Sequence, residues 1–414
     1  MQVSLLEQGT KATLKAKRRS GHDHEGCRRY PQECETTTSL IDPLPRIETQ
    51  KQFMDVLETM VTPPKILKPE EEGRGRPFEL KSYLIENNGK LDRSFALEGM
   101  VGEIRDTGIE TLKILTLLRG TSDPTKEPAK VEFYLDMSHE RFLLLHTNFD
   151  SELTMRAVRD LVGSGRYELD NAWLSTTMLN EVSTMPGNKR EGYRIGYVDP
   201  FQIRDSNELV YESDMLMEAK GGISKKLYEL AGSDPEVRRA LGYEWVSISR
   251  GNVARGVLED LGHNGRFALR RGRSVGDHMI LVNQVKDDYI ERVKEVEDHR
   301  IDAYKKDGFA TIRGVPFEFE FSRDIEDWQP ILARLFDAKD PFRVWGIRSK
   351  VRDGYYRILG VDMHTGHPLD IEVTDHLLRV YLPKNSCGNV IMRLFVNLQR
   401  YFDATITCNQ LSAN

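Results

Sequence analysis

The stretch Phe95-Ala-Leu-Glu-Gly-Met-Val-Gly-Glu-Ile-Arg-Asp106 has a close counterpart late in the chain. It aligns without a gap with Phe342-Arg-Val-Trp-Gly-Ile-Arg-Ser-Lys-Val-Arg-Asp353, and the shared pattern is Phe-x3-Gly-x4-[Ile/Val]-Arg-Asp. Both copies continue into strand-like apolar runs and then a helix-like segment. Because an internal repeat decides how a chain is divided, the pattern predicts a duplicated sheet-and-helix unit.

The two copies and the segments around them predict an α+β fold in which two related antiparallel sheet-plus-helix units flank a middle α+β domain. Alternation over Pro316–Phe321 is typical of a half-buried strand, and helical spacing over Cys387–Tyr401 indicates an amphipathic helix. In the middle domain, His278–Val282 is predicted as a strand and Asp287–Tyr304 as a charged helix. The predicted divisions are a disordered arm at 1–48, a first unit at 49–185, the middle domain at 190–310 and a second unit at 314–414.

An order of helix, four antiparallel strands and helix, given twice, resembles the duplicated saddle of TATA-binding-type proteins. The resemblance is one of element order, because the chain contains no sequence motif of that family. It implies a saddle-like arrangement of the two units, with the middle domain as a large insertion.

Composition limits the function classes. With 414 residues, 39% hydrophobic and 30% charged, the chain is long enough for two or three domains with their own cores. It has no run of eighteen apolar residues, so no membrane span is predicted. Four cysteines do not make a disulfide framework, and a cytoplasmic location is expected. The net charge of −6 weighs against indiscriminate coating of nucleic acid.

A local basic patch is still present. Arginine forks match phosphate oxygens, so a dense arginine cluster predicts an anion or nucleic-acid contact, although a solvated loop between strands explains it equally simply. The arginines concerned are Arg250, Arg266, Arg270, Arg271 and Arg273.

A second candidate is enzymatic. Asp214-Met-Leu-Met-Glu218-Ala-Lys220 precedes a helix-like segment, and a strand ending in Glu-x-Lys resembles the core of PD-(D/E)xK nucleases. The resemblance implies a Mg²⁺ or Mn²⁺ site using Asp199 and Glu218, with Lys220 orienting the attacking water. The upstream acid stands before Pro200 rather than after a proline, and no catalytic glutamate on a preceding helix is evident.

Three further groups carry potential ligands. A zinc site is possible in the arm, because nitrogen and sulfur ligands suit Zn²⁺, although the spacing matches no standard finger. Its ligands would be His22, His24, Cys27 and Cys34. A histidine-rich turn, which also fits a plain polar hairpin, contains Asp362, His364, His367 and Asp370, with His376 nearby. The last predicted helix begins within Asn385-Ser386-Cys387-Gly388-Asn389. This segment predicts a plain capping turn. The alternative is a reactive Cys387 of depressed pKa, which His364 or His376 approaches in space.

Without a P-loop, a nucleophile elbow or another strong catalytic motif, the sequence favours an intracellular nucleic-acid-associated binding or assembly protein. Its expected partner is nucleic acid or a nucleic-acid-processing protein. The alternatives are the metal-dependent nuclease using Asp199, Glu218 and Lys220, and a protein–protein scaffold.

Overall fold

The computed structural model describes residues 43–61, 79–120, 128–165, 167–198, 214–251, 256–272, 274–306 and 309–411, and within them the fold is α+β. The helices of these residues are α1 (Gln50–Val61), α2 (Ser151–Gly163), α3 (Thr176–Thr184), α4 (Ile223–Ala231), α5 (Pro235–Arg239), α6 (Val275–Asp298), α7 (Gln329–Leu335) and α8 (Asn389–Tyr401). The strands up to the end of the predicted middle domain are β1 (Lys81–Asn87), β2 (Ser94–Leu97), β3 (Met100–Asp106), β4 (Leu112–Arg119), β5 (Ala129–Asp136), β6 (Phe142–Thr147), β7 (Leu169–Asn171), β8 (Asn188–Val198), β9 (Asp214–Lys220), β10 (Tyr243–Arg250), β11 (Val257–Gly262), β12 (Arg266–Arg271) and β13 (Asp302–Lys306). The later strands are β14 (Phe309–Arg313), β15 (Phe317–Glu320), β16 (Val344–Arg352), β17 (Tyr355–Asp362), β18 (Pro368–Val373), β19 (Leu377–Tyr381) and β20 (Thr407–Cys408).

The strand β1 joins the first predicted unit to the middle region. The large sheet has the order β2-β3-β4-β5-β6-β1-β12-β11-β10-β8-β9, with β7 also paired to β1. Lys81, for example, is opposite Thr147 of β6 and opposite Ala268 of β12. The division predicted at residues 185–190 therefore falls inside one continuous sheet, because β8 to β12 extend the sheet of the first unit.

The smaller sheet repeats part of this strand order. Its order is β16-β17-β18-β19-β15-β20, and the large sheet contains β3-β4-β5-β6-β1-β7. In both, a four-stranded meander is followed by a helix, α8 or α2, and the preceding strand pairs with the last strand of the meander. The strands thus pair in the same order in the two units. Duplication as their origin, and the saddle arrangement, stay predictions.

The two motif glycines have different local roles. Gly99 lies in the tight turn between β2 and β3 with a φ of 72°, a conformation that glycine adopts without strain. Gly346 lies inside β16 and pairs with Gly360 of β17. The Ile104-Arg105-Asp106 and Val351-Arg352-Asp353 ends of the motif both close the first strand of a meander. The ungapped alignment therefore matches the structure at the ends of the two strands but not at the glycines.

The segment 278–282 is helical, so the predicted strand at His278–Val282 is wrong. The Ser274 hydroxyl accepts a hydrogen bond from the Asp277 amide and caps α6. His278, Val282 and Val285 then follow at helical spacing and are buried on one face of α6. A short apolar run does not separate a strand from the first turns of a buried helix, which explains the wrong prediction.

The end of the predicted arm is packed against the large sheet. Leu44 and Ile47 are buried, and the Leu44 amide donates a 2.7 Å hydrogen bond to Glu132 Oε2. The Tyr134 hydroxyl donates to the Pro45 carbonyl at 2.9 Å. Residues 43–48 therefore belong to the folded body, and the rest of the predicted arm lies outside the described residues.

No helix in the described part of the chain is long and apolar enough to cross a membrane.

Candidate functional site

The described members of the predicted nuclease site lie on the surface. Glu218 and Lys220 stand on the same side of β9, the last strand of the large sheet, because they are two residues apart. Lys220 Nζ lies 2.7 Å from Glu218 Oε1, and the two side chains are 65% and 40% exposed. Among the described residues, Glu218 belongs to no group of three potential metal ligands, and Asp199 lies outside them. The nuclease site stays a prediction.

Three arginines of the predicted cluster lie on β12. They are Arg266, Arg270 and Arg271, and the pairing of β12 with β11 shifts register between Leu269 and Arg271. Arg270 forms ion pairs with Glu79 and Asp260, each at 2.6 Å, so its charge is already balanced. The two remaining arginines of the cluster are Arg250, which donates to Gln284 at 3.3 Å, and Arg273, which lies outside the described residues.

The other predicted ligand groups are only partly brought together. The N-terminal set His22, His24, Cys27 and Cys34 lies outside the described residues. In the histidine-rich turn, Asp362 and His364 are buried. His367 is partly buried, Asp370 pairs with Arg357, and exposed His376 lies 3.5 Å from Asp324.

A buried group of charged side chains joins β1 and β7 of the large sheet to the smaller sheet and α8. We call it the buried centre, and its members are Glu86, Arg141, Asp170, Asp362, His364, Cys387 and Arg393.

The first part of the buried centre is the contact between Glu86 and Cys387. The Cys387 thiol donates to the Glu86 carboxylate, with Sγ 3.3 Å from Oε1 and 3.2 Å from Oε2. Arg141 donates to Glu86 Oε1 at 2.7 Å and to Cys387 Sγ at 3.4 Å. Arg141 is itself held by Glu297, which accepts two hydrogen bonds of 2.8 and 3.0 Å. The carboxylate is therefore fixed through Oε1, while Oε2 faces the thiol.

His364 enters the buried centre from the turn between β17 and β18. Its Nε2 donates to the carbonyl of Glu168 at 2.6 Å. Its Nδ1 lies 3.9 Å from one carboxylate oxygen each of Glu86, Asp170 and Asp362, too far for a hydrogen bond. Nδ1 is buried and has no hydrogen-bond partner among the described residues.

Arg393 of α8 balances the charge of two aspartates. Its guanidinium donates to Asp170 and to Asp362, and all three side chains are buried. Burial on its own raises the pKa of the Asp170 carboxyl, but the positive charges of Arg393 and Arg343 help to lower it below its ordinary value. Asp170 is thus ionised and binds β7 of the large sheet to α8.

The depressed pKa predicted for Cys387 is wrong. Burial raises the pKa of the Cys387 thiol well above its ordinary value, and the negative charge of Glu86 raises it further. The amide of Gly388, at the start of α8, donates to Glu297 instead. Of the two histidines considered as partners of Cys387, His364 is close to it in the buried centre, while His376 is remote and exposed.

The most exposed part of the smaller sheet is a two-stranded ribbon formed by β16 and β17, residues 344–362. Its turn contains Gly354 with a φ of 69°, and β16 is the terminal strand of the sheet. One face of the ribbon carries exposed apolar side chains, among them Trp345 (46%), Ile347 (57%) and Leu359 (59%). The strand β16 also carries exposed cations, Arg348 at its middle and Arg352 at its end, and Arg352 lies over the ring of Tyr355.

A second buried network of hydrogen bonds connects β1, β6, β11 and α6. Ser82 Oγ lies 2.7 Å from His146 Nδ1 and 2.8 Å from His278 Nε2, and His278 Nδ1 lies 3.0 Å from Glu259 Oε2. The Ser-His-Glu order is that of a hydrolytic triad. Ser82, His278 and Glu259 are each 0% exposed, however, so no substrate reaches the hydroxyl. We assign this hydrogen-bond network to the polar interior of the protein.

Buried His146 makes the stability of the protein depend on pH. Burial, together with nearby His278 and Lys286, lowers the pKa of His146 from 6.5 to about 3. Below the ordinary pKa the unfolded chain takes up a proton that folded His146 does not, so stability that is present above pH 6.5 is lost as the pH falls. Between about pH 6.5 and about pH 5, we expect wild type to lose up to about 2 kcal/mol more than His146→Asn. Urea unfolding across this range measures the difference, and parallel pH profiles would contradict it.

The fold and the buried centre define an α+β protein whose two larger sheets are joined through a buried ionic group. Residues 46–413 match the MJECL33-like protein family, and the chain belongs to that family. A relative, the uncharacterized protein MJECL33 of Methanocaldococcus jannaschii, is 28% identical over 316 residues, which cover 66% of this chain and 74% of the relative. No solved structure matches the chain.

Proposed function

We propose that this protein binds nucleic acid through the ribbon. The observation that supports the proposal is the exposed strand β16, on which Arg348 and Arg352 have no carboxylate partner among the described residues. Both other cations of the ribbon are paired, Lys350 with Asp353 and Arg357 with Asp370. Unpaired cations on a chain with a net charge of −6 offer a local site for phosphate oxygens.

The shape of the ribbon supports the same proposal. A two-stranded antiparallel ribbon fits the major groove of a duplex, and exposed aromatic rings provide stacking surfaces for single-stranded bases. Tyr355 lies beside Arg352 at the cationic end, and Trp345 is exposed on the apolar face. Arg270 of the predicted arginine cluster is already neutralised by two carboxylates, which makes the ribbon the better candidate of the two surfaces.

Removing the two unpaired cations tests the proposal. We expect Arg348→Ser/Arg352→Ser to weaken binding of labelled oligonucleotides and to reduce the slope of log K against log salt by about 2, because each lost phosphate contact removes roughly one released counterion. Fluorescence anisotropy with single-stranded and duplex DNA and RNA measures both effects.

The matched control is Arg250→Ser/Arg271→Ser, which removes two arginines of the predicted cluster. Unchanged binding in this control supports the ribbon, whereas a loss confined to the control would place the interface on the arginine cluster instead. Absence of binding by wild type at low salt would rule out the function. Cleavage of the oligonucleotide with Mg²⁺ or Mn²⁺ that disappears in Glu218→Ala would favour the nuclease.

A protein partner is the second candidate, and the apolar face of the ribbon favours it. Trp345, Ile347 and Leu359 are exposed together on the terminal strand pair of a sheet, and such an edge can pair with an extended segment of another protein. Ile347→Thr/Leu359→Thr removes the apolar face and keeps every cation. Loss of self-association or partner binding in this variant, with oligonucleotide binding absent throughout, would support the scaffold function.

A further inference from the structure

Three potential metal ligands meet inside the buried centre, on elements far apart in sequence. Glu86 comes from β1, His364 from the turn after β17, and Cys387 from the residues before α8. One ligand atom from each residue lies within 4.8 Å of the other two, and all three side chains are buried. These residues therefore bring a carboxylate, an imidazole and a thiol to one point between the two sheets.

The separations fit a bound ion. In a tetrahedral zinc site, ligand oxygen and nitrogen atoms about 2.1 Å from the ion are about 3.4 Å apart. Glu86 Oε2 and His364 Nδ1 are separated by 3.9 Å, which is beyond hydrogen-bond distance, so the two ligands approach each other by about 0.5 Å when the ion binds. Glu86 Oε2 and Cys387 Sγ are 3.2 Å apart, which also suits two ligands of one ion.

The orientation of His364 supports the same conclusion. Because Nε2 donates its hydrogen to the Glu168 carbonyl, a neutral imidazole presents the lone pair of Nδ1 to the buried centre. This nitrogen is buried and has no partner among the described residues. A ligand histidine in proteins ordinarily donates its second ring N–H to a carbonyl or carboxylate, as His364 does.

The surroundings hold the other ligands in place. Arg141 binds Glu86 through Oε1 and leaves Oε2 directed at Cys387 and His364. Glu168, whose carbonyl orients His364, and Asn385, two residues before Cys387, both have positive φ angles, of 50° and 70°. Non-glycine residues adopt this conformation rarely, and such strained residues cluster at functional sites.

We propose that Glu86, His364 and Cys387 bind one Zn²⁺ ion that links β1 of the large sheet to the smaller sheet. A thiolate and an imidazole favour Zn²⁺ over Mg²⁺ or Ca²⁺, which prefer sets composed of oxygen atoms. On binding, the Cys387 thiol loses its proton to solvent, and no electron transfer is involved. Asp170 and Asp362 each have an oxygen 3.9 Å from His364 Nδ1, and both accept hydrogen bonds from Arg393.

The alternative explanation of the geometry is a protonated His364 held among three carboxylates without any metal. Cobalt distinguishes the two, because Co²⁺ replaces Zn²⁺ in such sites and a cobalt–thiolate bond gives a near-ultraviolet charge-transfer absorption. The full-length parent protein for this experiment carries Cys27→Ser and Cys34→Ser, which removes the thiols of the N-terminal set. Its remaining cysteines are Cys387 and Cys408.

We expect the metal-free parent to bind one Co²⁺ per chain with the thiolate band, and Zn²⁺ to displace the cobalt and abolish the band. Cys408→Ser in the parent should keep the band, which assigns it to Cys387 even if Cys387→Ser does not fold. Cys387→Ser should lose the band, and His364→Gln should weaken Co²⁺ binding at least tenfold. No thiolate band in the parent, or its loss in Cys408→Ser, would overturn the proposal.

Discussion

Replacing Arg393 with methionine is expected to lower the free energy of unfolding by roughly 3–5 kcal/mol. Arg393 is 0% exposed and donates to both Asp170 and Asp362. Methionine fills most of the same space, but it leaves two buried carboxylates facing each other without their shared cation. Such a loss exceeds the usual effect of a point substitution, because an unpaired buried charge is among the costliest defects in a protein interior. Chemical denaturation with a chelator in all samples measures the effect in the metal-free protein.

The control for this prediction is Arg357→Met. Arg357 pairs with Asp370 on the surface of the smaller sheet, with the two side chains 53% and 34% exposed. Water and salt screen such a pair, so we expect no measurable change in stability. Similar losses in the two variants would show that burial is not what makes Arg393 important. Adding Asp170→Asn to Arg393→Met should recover part of the loss, because it removes one of the two negative charges that Arg393 balances.

Trp328→Ala is expected to have an effect of similar size, about 3–5 kcal/mol, for a different physical reason. Trp328 is 2% exposed and immediately precedes α7, where its ring packs edge-on against Phe321 at a centroid distance of 5.3 Å. Truncation removes this contact and leaves a cavity beneath the smaller sheet. The midpoint of thermal unfolding and the free energy from denaturant titration both measure the change.

Trp345→Ala provides a control with the same side chain in the opposite environment. Trp345 is 46% exposed on the ribbon, so its truncation is expected to change the free energy of unfolding by no more than about 0.5 kcal/mol. A large loss of stability in Trp345→Ala, or a small one in Trp328→Ala, would contradict the burial that the structure assigns to these residues.

The sequence predicted the fold class because hydrophobic periodicity is a local signal. Alternation identified the strand that became β15, and helical spacing identified α8. The strand β1 was missed, although it lies at the middle of the large sheet, because Ser82 and Glu86 interrupt its apolar pattern. Both polar residues are fully buried, and their partners come from distant parts of the chain, which no local pattern reveals.

The candidate site was predicted in part. His364 and Cys387 were named as possible functional residues, and an approach of His364 or His376 to Cys387 was one of the alternatives considered. Glu86, Arg141, Asp170 and Arg393 were not named, and Glu86 and Cys387, which meet in the buried centre, are 301 positions apart. One signal was present: Arg393 lies among the apolar residues of α8, next to Leu394 and two residues after Ile391. A charged residue at a buried helix position requires a buried partner, and this requirement points to an acid elsewhere in the chain.

The position of β1 also bears on the order in which the chain folds. Residues 81–87 are hydrogen-bonded to strands around residues 145, 170 and 267, so the large sheet is complete only after β12 has been synthesised. Pairing across such long separations slows folding, because the chain loses loop-closure entropy before the strand contacts form. Until β12 has been synthesised and has paired, one edge of β1 is open to strands of other molecules. We therefore expect refolding yields to fall steeply as protein concentration rises, and slow synthesis at low temperature to improve the recovery of folded protein.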